Sequence, residues 1–195
     1  MEILEYIHDR YSVRSYKSDP ISEEILDIIL EAGRLAPSAQ NSQCWQFVVI
    51  TDQDLIKKIA FHSLIGSVNF FIKDAPVVIV ACADPKKSIV LNEQPLYLID
   101  TALSFQQMMM AAWHYGIGSC WLGAFNEKAL KDLLDIPAHI KIVGLSPFGY
   151  PKDKKNLYAK AVSFFASSKK RLAKEKIIHY NNWNNKVNTQ EKEGE

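Results

Sequence analysis

The sequence predicts one α+β domain, and three stretches carry that expectation. Residues 76–83, Pro-Val-Val-Ile-Val-Ala-Cys-Ala, are apolar without alternation, as a strand covered on both faces requires. Residues 23–35 set Ile25, Leu26, Ile28, Ile29 and Ala32 at helical spacing, so one face of that helix is buried. Residues 95–115 form the longest helical pattern, apolar around almost the full circumference. A strand with two covered faces and helices with apolar surface to cover it belong to one core.

Taken in chain order, Ile3, Leu4, Tyr6 and Ile7 make residues 2–9 a short amphipathic helix that delivers Arg10 and Arg14 to one edge of the fold. Ser22 is the N-cap of the second helix, with Glu23 and Glu24 where acidic groups meet the positive end of the helix dipole. Pro37 stops that helix, because proline lacks an N–H and restricts the residue before it. Residues 47–50 read as a strand and form the centre of the sheet with 76–83. Asp52 caps a helix holding Leu55, Ile56 and Ile59. Gly116 suits the left-handed position that ends the 95–115 helix; a strand over 119–125, a helix from Asn126 to Leu134 and a strand over 140–145 follow. Residues 169–183 are expected to be helical and then irregular, with Tyr180 and Trp183 packed on something.

The 95–115 helix has one polar stripe, Asp100, Ser104 and Gln107. In a chain of 195 residues one core cannot easily surround so apolar a helix, so part of it is expected at the centre of a dimer interface. The consecutive Met108, Met109 and Met110 read as adaptable core filler.

A hydrophobic content of 48% with 23% charged residues fits one globular domain over 1–183, leaving a polar tail, 184–195, expected to be disordered. The net charge of +1 gives no electrostatic footprint for nucleic acid, and the basic cluster of Lys152 to Lys160 with Lys169, Lys170 and Arg171 reads as a solvated face. Three widely spaced cysteines in apolar context and five unpaired histidines argue against a disulfide framework and a metal site. Neither a signal peptide nor a membrane span is expected, and a reducing cytoplasm fits these features.

The chemistry-bearing residues fall in two stretches. Between Pro37 and the strand lie Ser38, Gln40, Asn41, Ser42 and Gln43, hydroxyl and amide side chains that offer donors and acceptors without charge. Upstream, Arg10-Tyr11-Ser12-Val13-Arg14 places two guanidinium groups four residues apart around a hydroxyl, a set suited to an anion such as phosphate. No G-x-G-x-x-G follows a strand, so a Rossmann dinucleotide site is unsupported, and no Ser-His-Asp or Cys-His motif appears. Cys44, beside Trp45, reads as a buried, unreactive thiol.

These two stretches, with Gly116-Ile117-Gly118-Ser119-Cys120-Trp121-Leu122-Gly123-Ala124-Phe125 and Gly149-Tyr150-Pro151, occur in an order that resembles the nitroreductase family of FMN-dependent oxidoreductases over nearly the whole chain. The resemblance implies a three-layer α-β-α fold with a central mixed sheet, an obligate homodimer, and FMN sites shared between subunits. It implies that Arg10, Tyr11, Ser12 and Arg14 hold the phosphate, ribityl and pyrimidine side of FMN. Pro37, Ser38, Ala39, Asn41 and Gln43 would close the site from the partner subunit. Leu122 and Gly123 would bring a backbone N–H to flavin N5. Asn69 and Lys73 lie near where relatives contact the flavin ring and are left without a role. Where relatives carry an Arg after Gly-Tyr-Pro, this chain has Lys154, Lys155 and Lys160, of which Lys160 is the candidate phosphate contact. Cys44 stands where relatives commonly have Pro.

The implied activity takes hydride from NAD(P)H and reduces a nitroaromatic, a quinone or a similar oxidised organic acceptor by a ping-pong mechanism. Two alternatives stay open: a fold relative with different flavin chemistry, dehalogenation or flavin fragmentation, and a flavin-binding protein without turnover.

Overall fold

A computed structural model describes residues 2–63, 67–152 and 171–183. Its sheet has four strands, β1 (Trp45–Ile50), β2 (Val77–Ala83), β5 (Gly118–Ser119) and β6 (Lys141–Gly149), in the order β1-β2-β6-β5. The strand pairs are antiparallel, and β2 lies inside the sheet with Val80 opposite both Val48 and Leu145, while β1, expected at the centre, is an edge strand because β6 takes the other side of β2. A parallel bridge between Ser12 and Ser119 makes the sheet mixed at its β5 edge. A two-stranded ribbon, β3 (Val90–Leu91) and β4 (Gln94–Pro95), turns through Asn92 and Glu93, both at positive φ.

The unalternating apolar run finds its reason here. On β2, Val77, Ile79 and Ala81 pack with Ile29, Phe105, Met108 and Ala112, while Val78, Val80 and Cys82 pack with Ile56, Ile59, Phe71, Ile72 and Leu130. The first group belongs to α2 (Glu23–Arg34) and α4 (Leu96–His114); the second to α3 (Gln53–Lys58), its continuation through residue 63, the 67–74 turn and α5 (Glu127–Leu134). The α-β-α layering is therefore built from the two faces of one strand, since successive side chains point to opposite sides. Each large side chain buried here is worth roughly 1.5–3 kcal/mol against exposure.

Helix α4 contacts α2 along a seam made by Gly33. A Cβ on Gly33 would come within 2.6 Å of Met108 Cγ, so only glycine lets the helices approach this closely. The Ser104 hydroxyl donates to the Gly33 carbonyl at 2.7 Å. At its end α4 closes as expected: Gly116 at φ 72 leads the chain out, Gly116 N donates to Trp113 O at 3.0 Å and Ile117 N to Ala112 O at 2.9 Å.

Several sequence expectations are corrected. Of the polar stripe of α4, Asp100 and Ser104 turn inward and are buried, as is Thr101, while Gln107 is exposed; Leu98, Ile99 and Leu103 are 43–47% exposed. Asp100 and Ser104 turn inward because they meet backbone partners there: Asp100 accepts from Ala39 N and Ser104 donates to Gly33 O. The strand expected over 119–125 is only Gly118–Ser119, followed by isolated bridge residues at Leu122 and Phe125, because Trp121 turns its ring over Gly144. Strand β6 runs past 145 through Pro147, which lacks a ladder donor; Ser146 Oγ accepts from Cys120 N at 2.9 Å and donates to Pro147 O at 2.9 Å. Residues 171–183 hold one 3-10 turn, Lys174–Lys176, in place of the expected helix. There Trp183 stacks on His179 at 4.6 Å yet stays 81% exposed, so among the described residues its packing is limited to that ring.

Candidate functional site

Two separate half-sites emerge. The first is the 10–14 segment, held to the sheet edge by backbone: Val13 N donates to Ser119 O at 2.9 Å beside the Ser12–Ser119 bridge. Val13 and Ser15 are buried whereas Arg10, Ser12 and Arg14 are half-buried, the alternation of an extended segment that turns positions 10, 12 and 14 to one side. Gly118 makes this fit possible, since a Cβ there would lie 2.3 Å from Val13 Cγ2. Arg14 donates to Ser12 O at 3.3 Å, and among the described residues neither Arg10 nor Arg14 pairs with a carboxylate. Two guanidinium groups and a hydroxyl without an internal anion are the donor set a phosphate needs. Their field reaches Cys120, whose thiol pKa is pushed up by burial and pulled partly back by Arg14, a hydrogen bond to Ser12, and Arg10.

Beyond Cys120 the chain is pegged twice. Leu122 exchanges backbone bonds with Leu145 at 2.8 and 3.1 Å, and the Trp121 ring sits where a Cβ on Gly144 would be only 2.3 Å away. Gly123 follows, exposed, and a Cβ on it would meet no atom within 4 Å. Neither packing nor a positive φ asks for glycine at 123, which leaves its backbone open to close approach from outside. Asn69, buried, donates to Ala124 O at 3.5 Å and so joins this group, while Lys73 lies over the Phe61 ring at 6.0 Å instead. Tyr11 packs edge-on against Trp113 at 5.4 Å, which fixes this half-site to the C-terminal end of α4.

The second half-site is the loop after Pro37. Gln40, Asn41 and Gln43 have φ of 54, 56 and 45, left-handed values that cost non-glycine residues about 1–3 kcal/mol each. The loop is cross-braced: Ser38 Oγ accepts from Gln43 N at 3.0 Å, and Gln43 Nε2 donates to Asn41 Oδ1 at 3.1 Å. Asp100 of α4 accepts from Ala39 N at 3.1 Å and Ser42 Oγ at 3.4 Å. Pro37, Asn41 and Gln43 are exposed, Ser38 and Ala39 half-buried. The neighbouring Cys44 thiol has its pKa raised, first by burial and also by the Asp100 charge, against a lowering bond to Ser42.

The structure thus brings together Arg10, Tyr11, Ser12, Arg14, Leu122 and Gly123, and separately Pro37, Ser38, Ala39, Asn41 and Gln43. Within one chain it does not join the two sets. One is fixed at Trp113 and the other at Asp100, thirteen residues or about 20 Å along a helix at 1.5 Å per residue. Lys160, Lys154 and Lys155 lie outside the described residues. Asn69 and Asp100 are the additions; a lone carboxylate in an apolar helix is the signal that marked Asp100. Among the described residues no cluster of His, Cys, Asp and Glu could hold a metal ion, and no helix is long and apolar enough to cross a membrane.

The family model described as Nitroreductase family matches residues 7–69 and 66–150. A protein of Archaeoglobus fulgidus named as a NADH dehydrogenase/NAD(P)H nitroreductase is 38% identical over 163 residues, covering 80% of this chain and 90% of its own. An FMN reductase [NAD(P)H] of Bacillus subtilis is 28% identical, covering 91% of this chain and 73% of its own. The crystal structure of a nitroreductase family protein from Clostridium novyi superposes with a TM-score of 0.75 at 33% identity, covering 80% of this chain and 89% of the other. Fold, motif order and these matches agree: the chain belongs to the nitroreductase family.

Proposed function

We propose that this chain is an FMN-dependent oxidoreductase that takes hydride from NAD(P)H and reduces oxidised organic acceptors such as nitroaromatics or quinones. We infer further that it acts as a homodimer with two sites, each shared between subunits. The observation that carries this reading is the position of the two half-sites at opposite ends of α4. Two copies related by a two-fold axis across α4 would run these helices antiparallel and set one chain's Arg10–Arg14 end beside the other's Ser38–Gln43 end. Leu98, Ile99 and Leu103, left exposed on α4, offer the apolar surface such an interface needs. The names of the relatives support FMN and NAD(P)H as partners.

Bound at this site, FMN supplies the hydride chemistry at its N5 atom, while the protein binds and orients it. Arg10, Ser12 and Arg14 would hold the phosphate, ribityl and pyrimidine side, beside Tyr11, with Lys160 as a further phosphate contact. Leu122, pinned to Leu145, would steady the Gly123 backbone N–H near N5. Asn69 would add an amide from the same chain. Pro37, Ser38, Ala39, Asn41 and Gln43 of the second copy would close the site. Three buried free thiols fit a reducing cytoplasm.

With no separate nucleotide motif, NAD(P)H and the acceptor would use the same open face in turn, and double-reciprocal plots should be parallel. The deciding experiment is direct. The purified protein should be yellow, release FMN rather than FAD on denaturation, and lose its flavin absorbance when NADH or NADPH is added anaerobically. A colourless protein that binds no FMN, or a flavin that neither nucleotide bleaches, overturns the reading.

A further inference from the structure

We propose that Asp100 is the positioning residue of the second half-site. Its buried carboxylate holds Ala39 N–H and the Ser42 hydroxyl, and so keeps the 38–43 loop in the backbone that presents Asn41 and Gln43 to the neighbouring subunit's flavin. This last step rests on the shared-site reading above; the hold on the loop does not.

Three non-glycine residues at positive φ within four positions persist only where the surroundings over-determine them. Asn41 N to Ser38 O, Ser42 N to Ala39 O and Gln43 N to Ser38 Oγ brace the loop against itself at 3.0 to 3.1 Å, but these bonds travel with it. The two bonds to Asp100 tie it to α4, and they come from a different layer of sequence, 61 and 58 residues away.

The chemistry of the group fits the task. A carboxylate accepts at both oxygens, so it can serve a backbone N–H and a hydroxyl together. Asparagine could accept only at one of the two positions, because its amide nitrogen donates. At 3% exposure the charge also needs these donors, since a buried carboxylate without partners is strongly disfavoured. Asp100 shares the buried side of α4 with Thr101 and Ser104, beside the exposed Leu98, Ile99 and Leu103. The carboxylate's bonds to Ala39 N and Ser42 Oγ both go to the loop.

The test uses the full-length protein and four variants: Asp100→Ala, Asp100→Asn, Arg10→Ala/Arg14→Ala and Asn41→Ala/Gln43→Ala. Hydrogen exchange of the loop amides reads the proposal directly. Asp100→Ala should raise exchange at Ala39 and through 41–43 by at least about tenfold, the scale of one lost charged hydrogen bond, with β2 protection unchanged. Asp100→Asn should fall between, because its oxygen can still accept from Ala39; it also carries the test if the alanine variant does not fold. Unchanged loop exchange in both variants overturns the proposal.

Co-refolding then assigns the half-site. Mixed with Arg10→Ala/Arg14→Ala, the Asp100→Ala chain should recover up to about a quarter of wild-type activity, since half the dimers are mixed and each has one intact site. Mixed with Asn41→Ala/Gln43→Ala it should recover none. If the Arg and Asn/Gln variants complement each other but Asp100→Ala complements neither, Asp100 does not act through the loop and the proposal fails. If the Arg and Asn/Gln variants do not complement, although mixed dimers form, the shared site fails. Loop exchange alone then decides whether Asp100 holds the loop.

Discussion

The two half-sites are built by opposite means. The Arg10–Arg14 segment is held by its backbone, through Val13 N to Ser119 O and the bridge from Ser12, and its side chains are left over for other work. The Ser38–Gln43 loop is held by side chains, with Ser38 Oγ, Asn41 Oδ1 and the Asp100 carboxylate each accepting a bond that shapes it. The difference teaches where substitution is tolerated. In the first, a side chain can be removed and the segment stays in place, so loss of function reports loss of a contact. In the second, the groups that would meet a ligand and the groups that fix the shape are the same or adjacent.

The strongest break in that contrast comes from Arg10→Ala/Arg14→Ala. Each lost charge-assisted bond is worth about 1.5–3 kcal/mol, so FMN affinity should fall by roughly two to four orders of magnitude. The thermal midpoint of the flavin-free protein should stay within a few degrees of wild type. A drop in midpoint as large as the drop in affinity would mean that the guanidinium groups hold the fold, and the contrast would collapse.

Two glycines sharpen it next. Gly118→Val drives side-chain atoms into Val13, 2.3 Å from the position of its Cβ, and should lower unfolding free energy by about 1–3 kcal/mol in a denaturant titration. Gly123→Ala meets no atom within 4 Å and should change stability by less than about 0.5 kcal/mol. Its effect should appear instead in the anaerobic reduction rate. A Gly123→Ala protein with wild-type reduction would remove Gly123 from the site.

Ser38→Ala removes the acceptor for Gln43 N and should cost about 1 kcal/mol, expressed as a raised KM for the acceptor with the Arg half intact. An unchanged KM would show the loop to be stiffer than its side-chain bonds imply.

The last effect is electrostatic and confined to alkaline pH, so near neutrality it is the smallest. Burial raises the pKa of both Cys44 and Cys120, and of Cys82 on β2 to about 11. A thiol that resists ionisation when folded stabilises below its unfolded pKa near 9, and that stability is lost as pH rises through the folded value. For Cys82 the window is therefore pH 9 to 11, with a slope of about 1.4 kcal/mol per pH unit at most, and Cys82→Ala should flatten it. In the Arg10→Ala/Arg14→Ala protein the Cys120 thiolate should become harder still to form, while Cys44 is unmoved. A Cys120 that alkylates faster in that variant would reverse the assigned direction.

What was legible in the sequence follows the same division. β2 and α4 rest on local pattern, an unbroken apolar run and helical spacing, and each lies where expected within a few residues, whereas the alternation of the 10–14 segment depends on its bridge to Ser119. The inward turn of Asp100 and Ser104 was not legible, because their partners, Ala39 N–H and the Gly33 carbonyl, are contributed by residues 61 and 71 positions away. Spacing shows that polar side chains share a face; only tertiary partners decide whether that face meets water or the core. The short β5 was lost for a similar reason, since the Trp121 ring needs the notch at Gly144, a residue of a different strand. The family motif order supplied most of the candidate site, while Asn69 gained its place only when Ala124 was beside it.

Strand β2 has one more consequence. Its odd residues complete one core and its even residues the other, and all seven are buried. The two layers are thereby made to share their central component. Loosening the α2–α4 layer strips one face of β2, and a strand stripped on one face no longer supports the other. The chain should therefore unfold as one cooperative unit, with no stage in which the first half-site survives the loss of the second.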